Sequence, residues 1–370
     1  MRIAFYAPMK PPSHPVPSGD RRMARALIAA LRLAGHEVTV ASRLRSWDAG
    51  DSARQRRIKR SGQKTAQMLI DRWQPRDAPD RPDAWFTYHL YHKAPDWLGP
   101  PVCDALGIPY LVAEASYAAK QADGPWAEGL QSSKHALTSA AAVFALSEID
   151  RQGLVPHVAP ERLHRLKPFL DTAAYGPQSA GCPDTVPPAL QGLDKPLMLA
   201  VGMMRTGDKL ASYRILGQAL ASLPDRPWRL AIVGDGPAQA QVRDLLPPDR
   251  TVFLGALPGE ALPPLLGAAD LFVWPAINEA YGMAILEAQA AGLPVVAGAS
   301  GGVPDIVSDQ TTGLLTPPGD AQAFARAVAV LLDDPARRHQ MGQAALEKTR
   351  KNNDIAQASA HLDTVIRAVA

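Results

Sequence analysis

The sequence predicts an α/β protein of two doubly wound parallel-sheet domains, and three observations predict it. The chain has 370 residues, 46% of them hydrophobic, more than one core absorbs, because single cores stop growing at roughly 250–300 residues. Short apolar runs rich in β-branched and aromatic residues alternate with helix-length stretches along both halves, the pattern of strands joined by crossover helices. Between the two series, from Thr172 to Lys195, Gly176-Pro177, Gly181, Pro183, Pro187-Pro188 and Gly192 break every periodicity, as a linker does.

The first series opens with the strand Arg2–Ala7. A proline-rich loop, Pro11 to Pro17, leads through Ser18-Gly19-Asp20 into a helix that Gly35 stops, and Val38–Val40 is the next strand. Strand, loop, helix, strand is a parallel crossover unit. Further strands are expected at Ala84–Tyr88, Tyr110–Ala113 and Ala142–Leu146, with Ser147 as the N-cap of the helix that follows. The second series places strands at Leu197–Val201, Arg229–Val233, Thr251–Leu254, Leu271–Trp274 and Pro294–Ala297, and helices at Tyr213–Leu223, Gln239–Leu246, Glu260–Ala268 and Met283–Ala291. The expected organisation is an N-terminal domain over residues 1–175, a linker over 176–195 and a C-terminal domain over 196–345. One long last helix, from about Gln343 to Val369, is expected to pack its 346–370 portion across both domains.

Net charge is +3, but residues 1–185 hold 24 Lys and Arg against 18 Asp and Glu, and the remainder 15 against 18. The run Arg54, Arg56, Arg57, Lys59, Arg60 and Lys64, with Ile58, Met68, Leu69, Ile70 and Trp73 near it, suits peripheral contact with an anionic membrane face; a solvated helix explains the same run. Nucleic acid is not expected, since no aromatic platform or recognition motif accompanies the charge. No run approaches the ~18 apolar residues of a membrane span. Cys103 and Cys182 are the only cysteines and have no metal-ligand spacing, which fits a reducing cytoplasm. The turn from Pro8 to Arg21 lacks the Gly-x-Gly-x-x-Gly of a nicotinamide enzyme.

The chemistry concentrates after the strand Leu271–Trp274. A loop carries Glu279 into a helix that begins near Gly282, and Glu287 stands eight positions beyond Glu279, on that helix. The N–H groups of Gly282, Met283 and Ala284 have no intrahelical acceptor there, and the helix dipole adds positive charge. A diphosphate fits such an end, and Gly282 lets an anion approach the backbone. Glu287, more than a turn further on, is placed to accept hydrogen bonds from a diol such as ribose. Glu279 faces whatever the far phosphate carries. By spacing alone, an amphipathic helix with a solvated glutamate explains the pair equally well; the Ala291-Gly292-Leu293-Pro294 stop and buried Val295-Val296 add weight to the site.

Glu279-Ala-Tyr-Gly-Met-Ala-Ile-Leu-Glu287 and the residues to Val296 resemble the two-glutamate motif of glycosyltransferase family 4, retaining enzymes of the GT-B fold. Val233-Gly-Asp-Gly-Pro237, Val252-Phe-Leu-Gly255, Gly301-Gly-Val-Pro-Asp305, Thr312-Gly-Leu-Leu315, Gly35-His-Glu-Val38 and Leu146-Ser147 recur in that order in the family. The resemblance implies two Rossmann-like domains facing across a cleft, and retaining transfer of a hexosyl group from a nucleotide-diphosphate sugar, as co-substrate, to a hydroxyl of a glycan or lipid-linked acceptor. It implies Glu287 on the ribose, Glu279 near the donor sugar, Tyr281 to Ala284 around phosphate and sugar, Arg205 and Lys209 on the leaving diphosphate, and Gly19 approaching the diphosphate from the other domain. Such an enzyme would act in the cytoplasm, or at the inner membrane face, without a metal: the sequence has no Asp-x-Asp motif in a strand-end loop, and Arg205, Lys209 and the Gly282 helix end can carry the charge. Met203 stands where the family usually has arginine, and three residues rather than four separate Arg205 from Lys209. In place of the family's histidine after Tyr110–Ala113 stands Glu114-Ala115-Ser116, so Glu114, Ser116, His89 and His92 are all candidates for that role. A sugar-nucleotide epimerase or hydrolase of the same architecture, or a non-catalytic sugar-nucleotide-binding protein, remains as the alternative.

Overall fold

The computed structural model describes residues 1–16, 18–175, 187–190 and 195–370; most of the expected linker over 176–195, with Cys182, lies outside them. The chain forms two compact units, Met1–Lys167 with Ile355–Ala370, and Pro168–Asp354.

In the first unit β1 (Arg2–Tyr6), α1 (Gly19–Leu33), β2 (Glu37–Ser42), α2 (Ser52–Trp73), β3 (Ala84–Leu90), α3 (Gly99–Leu106), β4 (Tyr110–Ala115), α4 (Ala127–Ser139), β5 (Ala142–Ala145), α5 (Glu148–Leu154) and β6 (Leu163–Arg165) follow one another. The sheet has the order β2-β1-β3-β4-β5-β6, and its neighbours pair in parallel. Alternation along the strands divides the aromatics between two faces. Phe5, Phe86 and Phe144 stack on one, with centroids 5.9 and 6.1 Å apart, while Tyr6 and Trp85 meet edge to face at 6.1 Å on the other. Fully burying each ring contributes roughly 1.5–3 kcal/mol. Ser147 caps α5 as expected, accepting from Asp150 N–H.

The second unit runs β7 (Leu197–Val201), α6 (Asp208–Ala221), β8 (Arg229–Val233), α7 (Gln239–Leu245), β9 (Thr251–Gly255), α8 (Leu262–Ala268), β10 (Leu271–Trp274), α9 (Met283–Ala290), β11 (Val295–Gly298), α10 (Val303–Ile306), β12 (Gly313–Thr316), α11 (Ala321–Asp333) and α12 (Pro335–Asn352). Its parallel sheet has the order β12-β11-β10-β7-β8-β9. The order reverses between β10 and β7, so the loops at their carboxyl ends flank the crevice where such sheets take ligands.

The short strands and the last helix differ from expectation. β6 and β12, three and four residues long, are strands that the sequence does not announce, because Leu163–Arg165 holds one apolar residue and Gly313–Thr316 two. The long last helix is two: α12 ends at Asn352, and α13 (Ile355–Val369) packs against α1 and β5 of the first unit. The break is fixed by side chains. Asn353 donates to Pro168 O at 2.7 Å, and Asp354 accepts from the Thr172 hydroxyl at 2.5 Å. These same bonds draw residues 168–175 into the second unit, ahead of the expected boundary at 175.

Candidate functional site

In the second unit the loop from Pro275 to Gly282, at the carboxyl end of β10, has an unusual backbone. Ala276 and Asn278 take φ of 56° and 49°, a left-handed region that non-glycine residues hold only when neighbours enforce it. The neighbours are on α6: Ser212 Oγ accepts from Ile277 N–H at 3.0 Å, and Asp208 accepts from the Asn278 amide at 3.0 Å.

That loop presents Glu279 to two donors. Lys209 Nζ lies 2.5 Å from its Oε2 and the Trp274 indole N–H donates to the same oxygen at 3.1 Å, while the ammonium sits 5.2 Å from the Trp274 ring centroid. Lys209 and Glu279 retain 27% and 17% side-chain exposure, so the pair is shielded from bulk water yet open to a ligand. In the sequence Trp274 is no more than a strand end; the structure makes it the bridge between cation and carboxylate. Its bulk also explains Gly202, where an added Cβ would stand 2.7 Å from the ring. Tyr213 closes the other side, edge-on to Trp274 at 5.1 Å and donating to Gly202 O at 2.8 Å.

The recurrent glycine motifs hold this arrangement by close backbone approach. A Cβ on Gly301 would lie 1.8 Å from Glu279 O, and one on Gly302 2.5 Å from Ala280 O; Gly302 N–H donates to Ala280 O at 2.6 Å. On the other flank, Cβ atoms on Gly234 and Gly236 would meet Gly202 O and Met204 O at 2.0 and 2.4 Å.

α9 begins at Met283, as expected, and Gly282 adopts φ 74° and serves as its N-cap; no side chain caps the helix. Gly282 O accepts from Ile285 and Leu286 N–H. The N–H groups of Met283 and Ala284 find no acceptor among the described residues. Tyr281 and Met283 are buried and Ala284 is half-buried. Glu287, in mid-helix, is only 3% exposed and accepts from the Tyr175 hydroxyl at 3.2 Å. Lys209, Glu279, Gly282, Met283 and Ala284 thus gather around the β10 end of the sheet. Arg205 is exposed on the turn before α6 and takes no part in the Lys209–Glu279–Trp274 group.

In the first unit Gly19 opens α1, capped by Ser18, and a Cβ there would meet nothing within 4 Å; packing within its own unit does not demand glycine. Of the four candidates for the missing histidine, His89 and Glu114 are brought together at adjacent strand ends, both with left-handed φ, 64° and 57°. His89 Nδ1 lies 3.3 Å from Asp20 Oδ1 and 3.7 Å from Glu114 Oε1. Burial pulls the imidazole down, but the charge of Glu114, the hydrogen bond and charge of Asp20 and the charge of Asp150 outweigh it and raise its pKa to about 9. Burial pushes the Glu114 carboxyl up, with His89 pulling it back. His92 is instead packed between Tyr91 and Trp126, its pKa lowered by burial and by Lys93 and Lys120. Ser116 is engaged through its backbone N–H with Leu90 O.

The basic run lies on α2, which buries only Gly62, Ala66 and Trp73 among its 22 residues. Lys59 pairs with Glu128 at 2.5 Å; Arg56, Arg57, Arg60 and Lys64 are exposed. Among the described residues no helix is long and apolar enough to cross a membrane.

Residues 193–348 match the family model of glycosyl transferases, group 1. The chain is 37% identical over 161 residues to the sulfoquinovosyl transferase of Arabidopsis thaliana, covering 43% of this chain and 31% of that protein. It is 30% identical over 254 residues to the alpha-D-kanosaminyltransferase of Streptomyces kanamyceticus, covering 66% and 63%. The chain therefore spans about a third and somewhat under two thirds of these relatives. Among solved structures, the sucrose-phosphate synthase of Thermosynechococcus elongatus superposes with a TM-score of 0.76 at 21% identity, covering 100% of this chain and 98% of that one. Anabaena HepE in complex with UDP-glucose gives 0.73 at 17%, covering 100% of both. The motifs, the two parallel sheets and these likenesses agree: residues 193–348 carry a group 1 glycosyltransferase domain similar to those of family 4, in a chain built on the GT-B fold.

Proposed function

We propose that the protein transfers a hexosyl group from a nucleotide-diphosphate sugar to an acceptor hydroxyl, with retention at the transferred carbon and without a metal. The observation that carries the reading is the Lys209–Glu279–Trp274 group beside the uncapped start of α9, with Glu287 further along that helix. Departure of a nucleoside diphosphate builds negative charge on the leaving oxygen. Lys209 and the Met283 and Ala284 N–H groups supply fixed positive charge for it, and preorganised donors of this kind commonly contribute more to such catalysis than any other single effect. Arg205, exposed on the turn before α6, adds charge to the outer phosphate. Glu279 holds Lys209 in place before the donor arrives and faces the sugar once it has. Glu287 accepts the ribose hydroxyls.

Support for a nucleotide sugar comes from the relatives, whose names are those of glycosyltransferases, and from the Anabaena protein solved with UDP-glucose. The acceptor is a glycan or a lipid-linked precursor, and the exposed cations of α2 suit a protein working in the cytoplasm at an anionic membrane face. Thermal-shift measurements with UDP-, GDP- and ADP-sugars identify the donor, since specific binding raises the melting temperature by mass action. Donor consumption is then followed with and without a pool of extracted glycolipids and glycans. Transfer that needs acceptor supports the proposal; equal product without acceptor supports an epimerase or hydrolase instead.

A further inference from the structure

We infer that Tyr175 is a positioning residue for the donor nucleotide, its phenol orienting the Glu287 carboxylate for the ribose hydroxyls. The inference rests on the reading of Glu287 as the ribose anchor. Tyr175 and Glu287 are 112 residues apart in sequence and are 9% and 3% exposed, yet their side chains meet at 3.2 Å. A tyrosine hydroxyl has one proton to give and a carboxylate only accepts, so the direction of this bond is fixed. Oε1 takes the phenol, which sets the plane in which the carboxylate is to meet the diol.

The mount of Tyr175 suits that task. Residues 172–174 form a single tight turn capped by Asp171, which accepts from Ala173 N–H at 3.0 Å, and Tyr175 N–H closes the turn on Thr172 O at 3.0 Å. The turn is clipped to the break between α12 and α13, through Leu170 N–H to Asn353 O at 3.0 Å and the Thr172 hydroxyl to Asp354 at 2.5 Å. A phenol on so fixed a backbone restrains a flexible glutamate in one rotamer, and a site whose groups are held before the ligand arrives spends less of its binding energy on ordering them. The second unit thus contributes to its own nucleotide site a residue from the segment by which the chain first enters it.

The test is a comparison of ribo- and 2′-deoxyribonucleotides on the full chain. Calorimetry with UDP, GDP and ADP and their 2′-deoxy counterparts selects the pair that binds most tightly. Wild type is expected to prefer the ribo form by about tenfold or more, as a hydrogen bond to a charged group supplies. Tyr175→Phe should reduce that preference at least about threefold while leaving the affinity for the deoxy form nearly unchanged. Glu287→Gln should reduce it too, and Tyr175→Phe should then add nothing, because the phenol acts through the carboxylate. Thr172→Val, which loosens the mount without touching Glu287, should move the ratio in the same direction, and it serves as the readout if Tyr175→Phe does not fold. An unchanged ratio in both variants, or equal loss of both affinities, overturns the role of Tyr175 while a collapse in Glu287→Gln leaves the ribose reading standing. No ribo preference in wild type, or a preference that survives Glu287→Gln, overturns the ribose reading itself.

Discussion

Replacing Gly301 by alanine separates a backbone clash from ordinary strain. At Gly301 the new methyl would sit 1.8 Å from Glu279 O, at φ 54°. To regain an ordinary contact of 3.4 Å, one of the two segments must retreat by well over an ångström. Left-handed backbone alone costs an alanine about 1–2 kcal/mol. Gly35 is the control: its φ is 81°, but a methyl there meets nothing within 4 Å. Gly35→Ala should therefore lower stability by about 1–2 kcal/mol and leave turnover near wild type. Gly301→Ala should lose at least as much stability and, in addition, about a hundredfold in turnover, the usual consequence of misplacing a reacting group by about an ångström. Denaturant unfolding gives the first quantity, and nucleoside diphosphate release from the donor selected by thermal shift gives the second. If Gly301→Ala and Gly35→Ala lose stability equally and both keep turnover within twofold, the position of the Glu279 loop does not govern the chemistry.

Lys209→Met should lower kcat by about 10²–10³-fold with a smaller change in donor affinity, as loss of a charge acting on the leaving group does; steady-state kinetics decide it, and an effect confined to KM would contradict the assignment. His89 should give stability a pH dependence. Its folded pKa, about 9, lies above the ordinary 6.5, so its contribution is full below pH 6.5 and is lost as pH rises through 9, of the order of 3 kcal/mol in all. His89→Gln should flatten the melting temperature over that range. Asp96 is buried and accepts from the Thr87 and Tyr110 hydroxyls and from Leu98 and Gly99 N–H. Asp96→Ala, which orphans those donors, should destabilise by about 3 kcal/mol or more in denaturant unfolding, whereas Arg56→Ala on exposed α2 should stay within about 0.5 kcal/mol.

How far the fold can be followed from sequence depends on the length of the pattern. Strands such as Leu197–Val201 and Arg229–Val233 are legible to the residue because they are buried on both faces and bounded by turns. Gly313–Thr316 is not, since it opens on a glycine and holds only two apolar residues, Leu314 and Leu315. The last helix misleads because the polar stretch Glu347–Asp354 holds no glycine or proline to mark a stop; what stops it there is a pair of bonds to Pro168 and Thr172, more than 180 residues away. The same distinction runs through the candidate site. Glu279, Lys209 and the α9 start are set by loop and helix position and can be named. Trp274 is hidden as a strand terminus, and Tyr175, 112 residues from Glu287, has no local signal at all. The pairing of His89 with Glu114 requires knowing that β3 and β4 are neighbours.

The route of the chain also sets an order of assembly. The second unit is continuous, Pro168–Asp354, and can close its sheet as soon as it emerges from the ribosome. The first unit cannot. Its first 167 residues are made early, but the helix that covers α1 and β5, with Leu362, Val365 and Ile366 buried and Asp363 3.1 Å from His36, is made only after the second unit. Until then an apolar flank of α1 waits uncovered for the time taken to translate the whole of the second unit. The half of the protein translated first is therefore the half completed last, and it is there that a chaperone would be needed.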